Sequence, residues 1–173
     1  MKLSRRRLLL GSASAIVLGA GGYKLLRGFE DEPLAEVSQS LPAALRGTAL
    51  DVHVHILGTG AGGTGCWMHD AMRGSIQVRA GLWNLGLRLA QPDLDARYVD
   101  YLLRRMHGAG FLKQVVALAM DYTYTSRGER DAARTPFFTS NDYVARLASA
   151  HPEFLFGASV HPYRPDALDE LDR

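Results

Sequence analysis

The residues with the strongest claim to chemistry are the histidines of Asp51-Val52-His53-Val54-His55. Two histidines two positions apart on a strand project to the same side, with Cα atoms about 7 Å apart, so their imidazole nitrogens can converge on one cation. Neutral imidazole suits zinc and equally iron, nickel or cobalt, so the pair does not select the metal by itself. The alternative is a pair of hydrogen-bonded histidines on a solvated strand face. Position favours the ligand reading, because the pair ends an apolar strand and is followed by a glycine loop.

That loop carries a competing signal. Gly58-Thr59-Gly60-Ala61-Gly62-Gly63 spells the G-x-G-x-x-G of a dinucleotide-binding turn. Such a turn needs a helix opening within the glycines and an acid at the end of a second strand about 20 residues later. Thr64–Asp70 is a poor first helical turn, and the next convincing strand begins only near Gln114. No G-K-[S/T] follows either, which removes a P-loop. The glycines are expected to form a flexible loop over a site.

Two further polar residues end later strands. Asp121 could hydrogen-bond a ligand histidine or a substrate, or simply cap the turn that follows. His161, next to Pro162, could touch substrate or support a ligand from behind, or be a rim histidine without chemistry. His69, His107 and His151 read as solvated. Cys66 is the only cysteine, so no intramolecular disulfide can form, and a lone loop thiol reads as incidental.

The elements that must position these residues alternate along the chain. Strands are expected at Ala49–Leu57, Gln114–Met120 and Phe154–Val160. A helix with Asp95 as N-cap carries Tyr98, Val99, Leu102, Leu103 and Met106 on one face and stops at Gly108 and Gly110. A second helix starts at Ser140 or Asn141, turns Tyr143, Val144, Leu147 and Ala148 inward, and ends at Pro152. A third opens at Pro165-Asp166. The order implies a parallel sheet with helices packed on it. Strand alternation adds detail. Leu50, Val52, Val54 and Ile56 share one face, and Asp51, His53 and His55 the other. Val116, Leu118 and Met120 oppose Val115, Ala117, Ala119 and Asp121, and Phe154, Phe156, Ala158 and Val160 oppose Leu155, Gly157, Ser159 and His161. Each strand thus has one bulky apolar face for a covering helix and one face that turns small or polar at its C-terminal end. An open doubly wound sheet would be apolar on both faces. The alternation favours an α/β barrel with its site at the C-terminal rim.

Charge divides the chain. Residues 1–29 hold six of the 20 Lys and Arg and no acid, which leaves 14 basic against 18 acidic side chains, a formal net charge of −4. The remaining domain therefore has no nucleic-acid footprint. Met1–Arg7 is a basic n-region, and the apolar run Leu8–Ala20 is too short for an ordinary membrane span but suits a signal sequence. Ser4-Arg5-Arg6-Arg7-Leu8-Leu9 resembles a twin-arginine export signal, which makes the export machinery an expected partner and the periplasm the expected location. No A-x-A cleavage site is evident, so an uncleaved leader would also anchor the chain to the membrane. Residues 30–47 read as a linker, and 48–173 as the folded domain.

With the strand-terminal Asp51-Val52-His53-Val54-His55 in place, residues 48–173 resemble the amidohydrolase superfamily, in particular the aminocarboxymuconate-semialdehyde decarboxylase-like group of metal-dependent TIM-barrel hydrolases. Ser140–Val144 and Phe156–Leu168 are similar to stretches expected of that group. The resemblance implies the N-terminal three βα units of a TIM (β/α)8 barrel, truncated. It also implies a divalent metal, zinc first, held in part by His53 and His55. The remaining ligands and the general base would come from later strands. The implied activity is hydrolysis of a small-molecule amide, ester or lactone by a metal-activated water, with non-oxidative decarboxylation as the alternative. A chain with three strands is expected to be a fragment with little activity alone. An exported metal-binding domain without catalysis is the reading of another class.

Overall fold

The computed structural model describes residues 39–173. The expected leader (1–29) and the linker up to residue 38 lie outside the described residues. Three strands, β1 (Ala49–His55), β3 (Leu112–Leu118) and β5 (Phe154–Gly157), form a parallel sheet in the order β1-β3-β5. Two short strands, β2 (Trp67–Met68) and β4 (Phe137–Phe138), pair antiparallel. The helices are α1 (Asp70–Gly74), α2 (Ile76–Asn84), α3 (Leu94–Ala109), α4 (Asn141–Ala150) and α5 (Ala167–Leu171). The fold is thus mixed α/β with a three-stranded parallel sheet.

The two long helices form as their sequences dictate. In α3 the buried Leu94, Val99, Met106 and Ala109 lie on one stripe, and Gly110 ends the helix in the left-handed region at φ 68°. The cap differs from expectation. The N-cap position belongs to Asp93, whose carboxylate pairs with Arg97 at 2.8 Å. Asp95 lies inside the first turn, with its side chain directed elsewhere. Helix α4 is capped as expected: the Ser140 hydroxyl accepts a hydrogen bond from the Tyr143 amide at 3.2 Å. Tyr143 and Val144 are buried, and Leu147 and Ala148 pack against the same core.

One core joins these parts. Val99 and Met106 of α3 and Tyr143 and Val144 of α4 meet Ile56, Val115, Ala117, Ala119 and Phe154. Both helices therefore cover the same face of the sheet. The face they cover on β3 is the reverse of the one expected. Val115, Ala117 and Ala119 are 2%, 0% and 4% exposed beneath the helices, whereas Val116 and Leu118 lie on the other face. Two helices crossing one strand approach closely only over small side chains, so the alanines go under them and the bulkier residues turn away. On β1 and β5 the expectation holds for Val54, Ile56 and Phe154, which pack in or against the core. Leu50, Val52 and Phe156 remain exposed. The face opposite the helices, bearing Val116, Leu118, Leu155 and Gly157, has no layer over it among the described residues.

Two helices and two short strands, β2 among them, were not anticipated. The stretch before Pro92 contains α1 and α2, capped by the His69 and Ser75 side chains. The loop after β3 contains β4.

Candidate metal centre

The register of β1 against β3 runs Asp51↔Val115 and then Val54↔Ala117, so β1 carries one extra residue between them. Asp51 Oδ1 accepts a hydrogen bond from the His53 amide at 2.9 Å inside this bulge. A bulge re-aims side chains. Here it places Asp51 on the helix side, in register with Val115, while His53 and His55 share the opposite face; this corrects the expectation that all three lie together. The His53 and His55 Nε2 atoms are 3.1 Å apart, with ring centroids at 4.8 Å and ring planes at 84°. Both side chains open to solvent. Partial burial, and then the neighbouring His53, hold the His55 pKa below 6.5, so its neutral form is favoured.

The strand end beneath the pair is tied down. The Tyr98 hydroxyl of α3 donates to the His55 carbonyl at 3.2 Å, and the buried Thr139 hydroxyl donates to the Ile56 carbonyl at 2.6 Å. Two ligand nitrogens about 2.0–2.1 Å from a tetrahedral ion are roughly 3.3 Å apart. The observed separation fits two sites of such a shell. No group of three or more His, Cys, Asp or Glu residues that could hold a metal occurs among the described residues.

Asp121 and His161 come together, but not around the histidine pair. The Asp121 side chain is 5% exposed, and its Oδ2 accepts from the His161 amide at 2.9 Å and from Arg164 at 3.1 Å. Its Oδ1 accepts from the Tyr122 amide at 2.7 Å. The His161 ring accepts from the Tyr163 amide through Nδ1 and lies beside Tyr124 and Tyr163. Arg164 also binds Asp166 at 2.8 Å and Glu170 at 3.4 Å, and these acids, led by Asp166, push its pKa upward. Asn141 ties this network to the Ser159 backbone on both sides. Beside it lies a cavity of about 200 Å³ lined in part by Tyr124, Arg130, Asn141 and Glu170. Asp121 is thus a fully engaged joint between the loops after β3 and β5.

Sequence reasoning missed the residue that holds the glycine loop. Asp95 is 1% exposed. Its Oδ1 accepts from the Thr59 amide at 2.7 Å and the Thr59 hydroxyl at 3.0 Å; Oδ2 accepts from the Gly60 amide at 3.0 Å and the Thr64 hydroxyl at 2.5 Å. Arg73 grips the Thr59 carbonyl at 2.8 Å from another side. A Cβ on Gly58 would lie 2.6 Å from Cys66 and 2.7 Å from Asp95, so the neck of the loop closes only with glycine there. Gly62, Gly63 and Gly65 at the tip have positive φ and open surroundings. The flexible loop of the sequence reading is therefore pinned at its neck. The glycines also open no helix; β2 follows them, which removes the dinucleotide geometry. Cys66 is buried, and burial pushes its thiol pKa up, so it lacks the exposed thiolate that a nucleophile needs. The only local hint of the Asp95 role is an acid followed by no periodic need for it on a buried helix stripe.

No known protein family, curated protein or solved structure matches the chain.

Proposed function

We propose that residues 48–173 carry the first part of a metal-dependent hydrolase of the amidohydrolase type, and that β1, β3 and β5 are three consecutive strands of a (β/α)8 barrel. The observation that carries this reading is the convergence of the His53 and His55 nitrogens at the C-terminal end of β1, on the face away from the helices. Three features support the barrel. The three strands lie in the sheet in their chain order, both long helices lie on one face, and the other face bears Val116, Leu118 and Leu155, the residue types that fill barrel interiors.

In this reading His53 and His55 supply two ligands, and Asp51 positions His53 through its backbone amide. Tyr98 and Thr139 fix the strand end, so the imidazoles need little reorganisation to bind. A divalent cation, zinc first, would acidify water and polarise the carbonyl group of an amide, ester or lactone. The general base and remaining ligands would come from further strands. Non-oxidative decarboxylation of an unsaturated acid is the alternative chemistry for the same site. Export through the twin-arginine machinery to the periplasm, with a leader able to anchor the chain, completes the proposal. A second reading, an exported domain that binds metal without catalysis, is favoured by the lack of a third ligand among the described residues.

The test is zinc titration of the purified chain by calorimetry, with metal analysis after dialysis, for wild type, His53→Ala and His55→Ala. Each substitution is expected to abolish stoichiometric zinc. Equal zinc retention by all three would sink both readings. Turnover of a panel of amides, esters and lactones by the zinc-loaded wild type separates the hydrolase from the binding domain.

A further inference from the structure

Helix α2 stands apart from the shared core. Val78 and Leu82 are half-buried on one side of it, while Ile76 and Trp83 on the other are 78% and 69% exposed. These two are seven residues apart, which on a helix places them on one stripe, with Arg79 between them. Arg88 follows, its guanidinium 5.2 Å from the Trp83 ring centroid. Neither Arg79 nor Arg88 forms an ion pair with a described residue. From 71 to 92 the sequence holds three arginines and no acid. That segment is basic in a domain that is net acidic beyond residue 29. The flanking acids do not neutralise the stripe: Asp93 is committed to Arg97, and Asp70 opens α1.

We propose that the Ile76–Arg79–Trp83–Arg88 stripe docks on an anionic phospholipid bilayer. Charge complementarity selects this occupant. The helix is apolar on two sides: Val78 and Leu82 are half-buried, while Ile76 and Trp83 are exposed beside arginines that have no acidic partner, and an exposed indole flanked by cations suits a lipid headgroup boundary. The arginines reach lipid phosphates while the indole enters the headgroup boundary, and Arg88 over the ring lets both do so from one spot. The helix lies on the surface: no helix among the described residues is long and apolar enough to cross a membrane.

The experiment uses the whole chain with Trp67→Phe, so that Trp83 is the only tryptophan. Its emission is followed on addition of phosphatidylcholine vesicles, with and without phosphatidylglycerol, and with brominated acyl chains as quenchers. The stripe predicts a blue shift and bromine quenching of Trp83 only when phosphatidylglycerol is present. Arg79→Gln with Arg88→Gln should weaken the quenching response about thirtyfold, from about fivefold per arginine. Ile76→Ser should weaken it further. Vesicle binding through the leader alone would leave Trp83 unshifted and unquenched, and would overturn the proposal. A blue shift without vesicles, rising with protein concentration and accompanied by dimer in sedimentation, would also overturn it in favour of a second copy.

Discussion

Asp95→Asn tests how the glycine loop is held. The substitution keeps the volume and removes one of two acceptor oxygens. The Thr59 and Thr64 hydroxyls can rotate to accept a hydrogen bond from the new amide NH2 group. The Thr59 and Gly60 amides cannot; they bond to different carboxylate oxygens, at 2.7 Å and 3.0 Å. Whichever way the Asn is oriented, one backbone N–H faces another donor. The loss is therefore one charge-assisted hydrogen bond with its donor stranded, about 1.5–3 kcal/mol. For a folded domain spanning residues 48–173 that corresponds to a fall of roughly 6–11 °C in Tm. The m-value should not change, because the core beneath the loop is untouched. The assay is urea denaturation together with amide hydrogen exchange. One of the two amides, Thr59 or Gly60, should lose protection while β3 amides keep theirs. A variant within about 0.5 kcal/mol of wild type with both amides still protected would refute the claim that the carboxylate holds the loop.

Gly58→Ala should destabilise by about 3 kcal/mol, near the top of the usual range for overpacking, because its Cβ would meet Cys66 and Asp95 within 2.7 Å. Gly62→Ala, in open space at φ 75°, should cost only about 1 kcal/mol, and equal losses in chemical denaturation would contradict the closed neck. Arg164→Met leaves the Asp121 carboxylate, 5% exposed, without its cation, and Glu170, 10% exposed, with only Arg173 at 3.7 Å, and should cost about 3–5 kcal/mol. Arg164→Lys should recover part of that loss, and urea midpoints of the two variants decide it. For His55 the sign follows from its lowered pKa. Between its folded-state value and the ordinary 6.5, the unfolded chain binds the proton and the folded chain does not, so stability falls as pH drops through 6.5. His53→Ala should flatten that slope in denaturation measured across this window, since it removes the neighbouring charge; an unchanged slope would show that the pair does not interact.

What was legible in the sequence was whatever depends on local pattern. The α4 cap, the α3 stripe and its glycine stop, and the three strands each follow from residues within one turn or one strand of each other. The histidine pair was visible for the same reason, since i and i+2 is a local relation. The misreadings have a common cause. Val116 and Ala117 alternate in a way that marks two faces without saying which one the helices take; that choice depends on how closely α3 and α4 approach the strand. Asp51 was placed with the histidines because alternation assumes an unbroken strand, and one bulge residue reverses parity. Asp95 looked like a cap because it stands near a helix start. Its partners lie about 35 positions upstream in a loop whose path no local rule supplies.

The bulge that defeated the alternation also supports the functional reading. Two exposed imidazoles at 3.1 Å gain little from each other in water, and partial burial already disfavours the charge on His55. Nothing in the core requires them: Ile56, Val54 and the helices would pack equally well with solvated polar residues at both positions. Yet the chain spends an extra residue, an Asp51 side-chain hydrogen bond and two hydroxyl contacts, from Tyr98 and Thr139, on fixing this short segment. Local rules are broken at a cost mainly where a site needs a particular geometry. Under the proposed function, a bulge stabilised on its own strand next to two convergent nitrogen atoms would serve a ligand bound between them. For the proposed metal site, the hydrogen bonds that anchor this segment are a stronger argument than the H-x-H spelling.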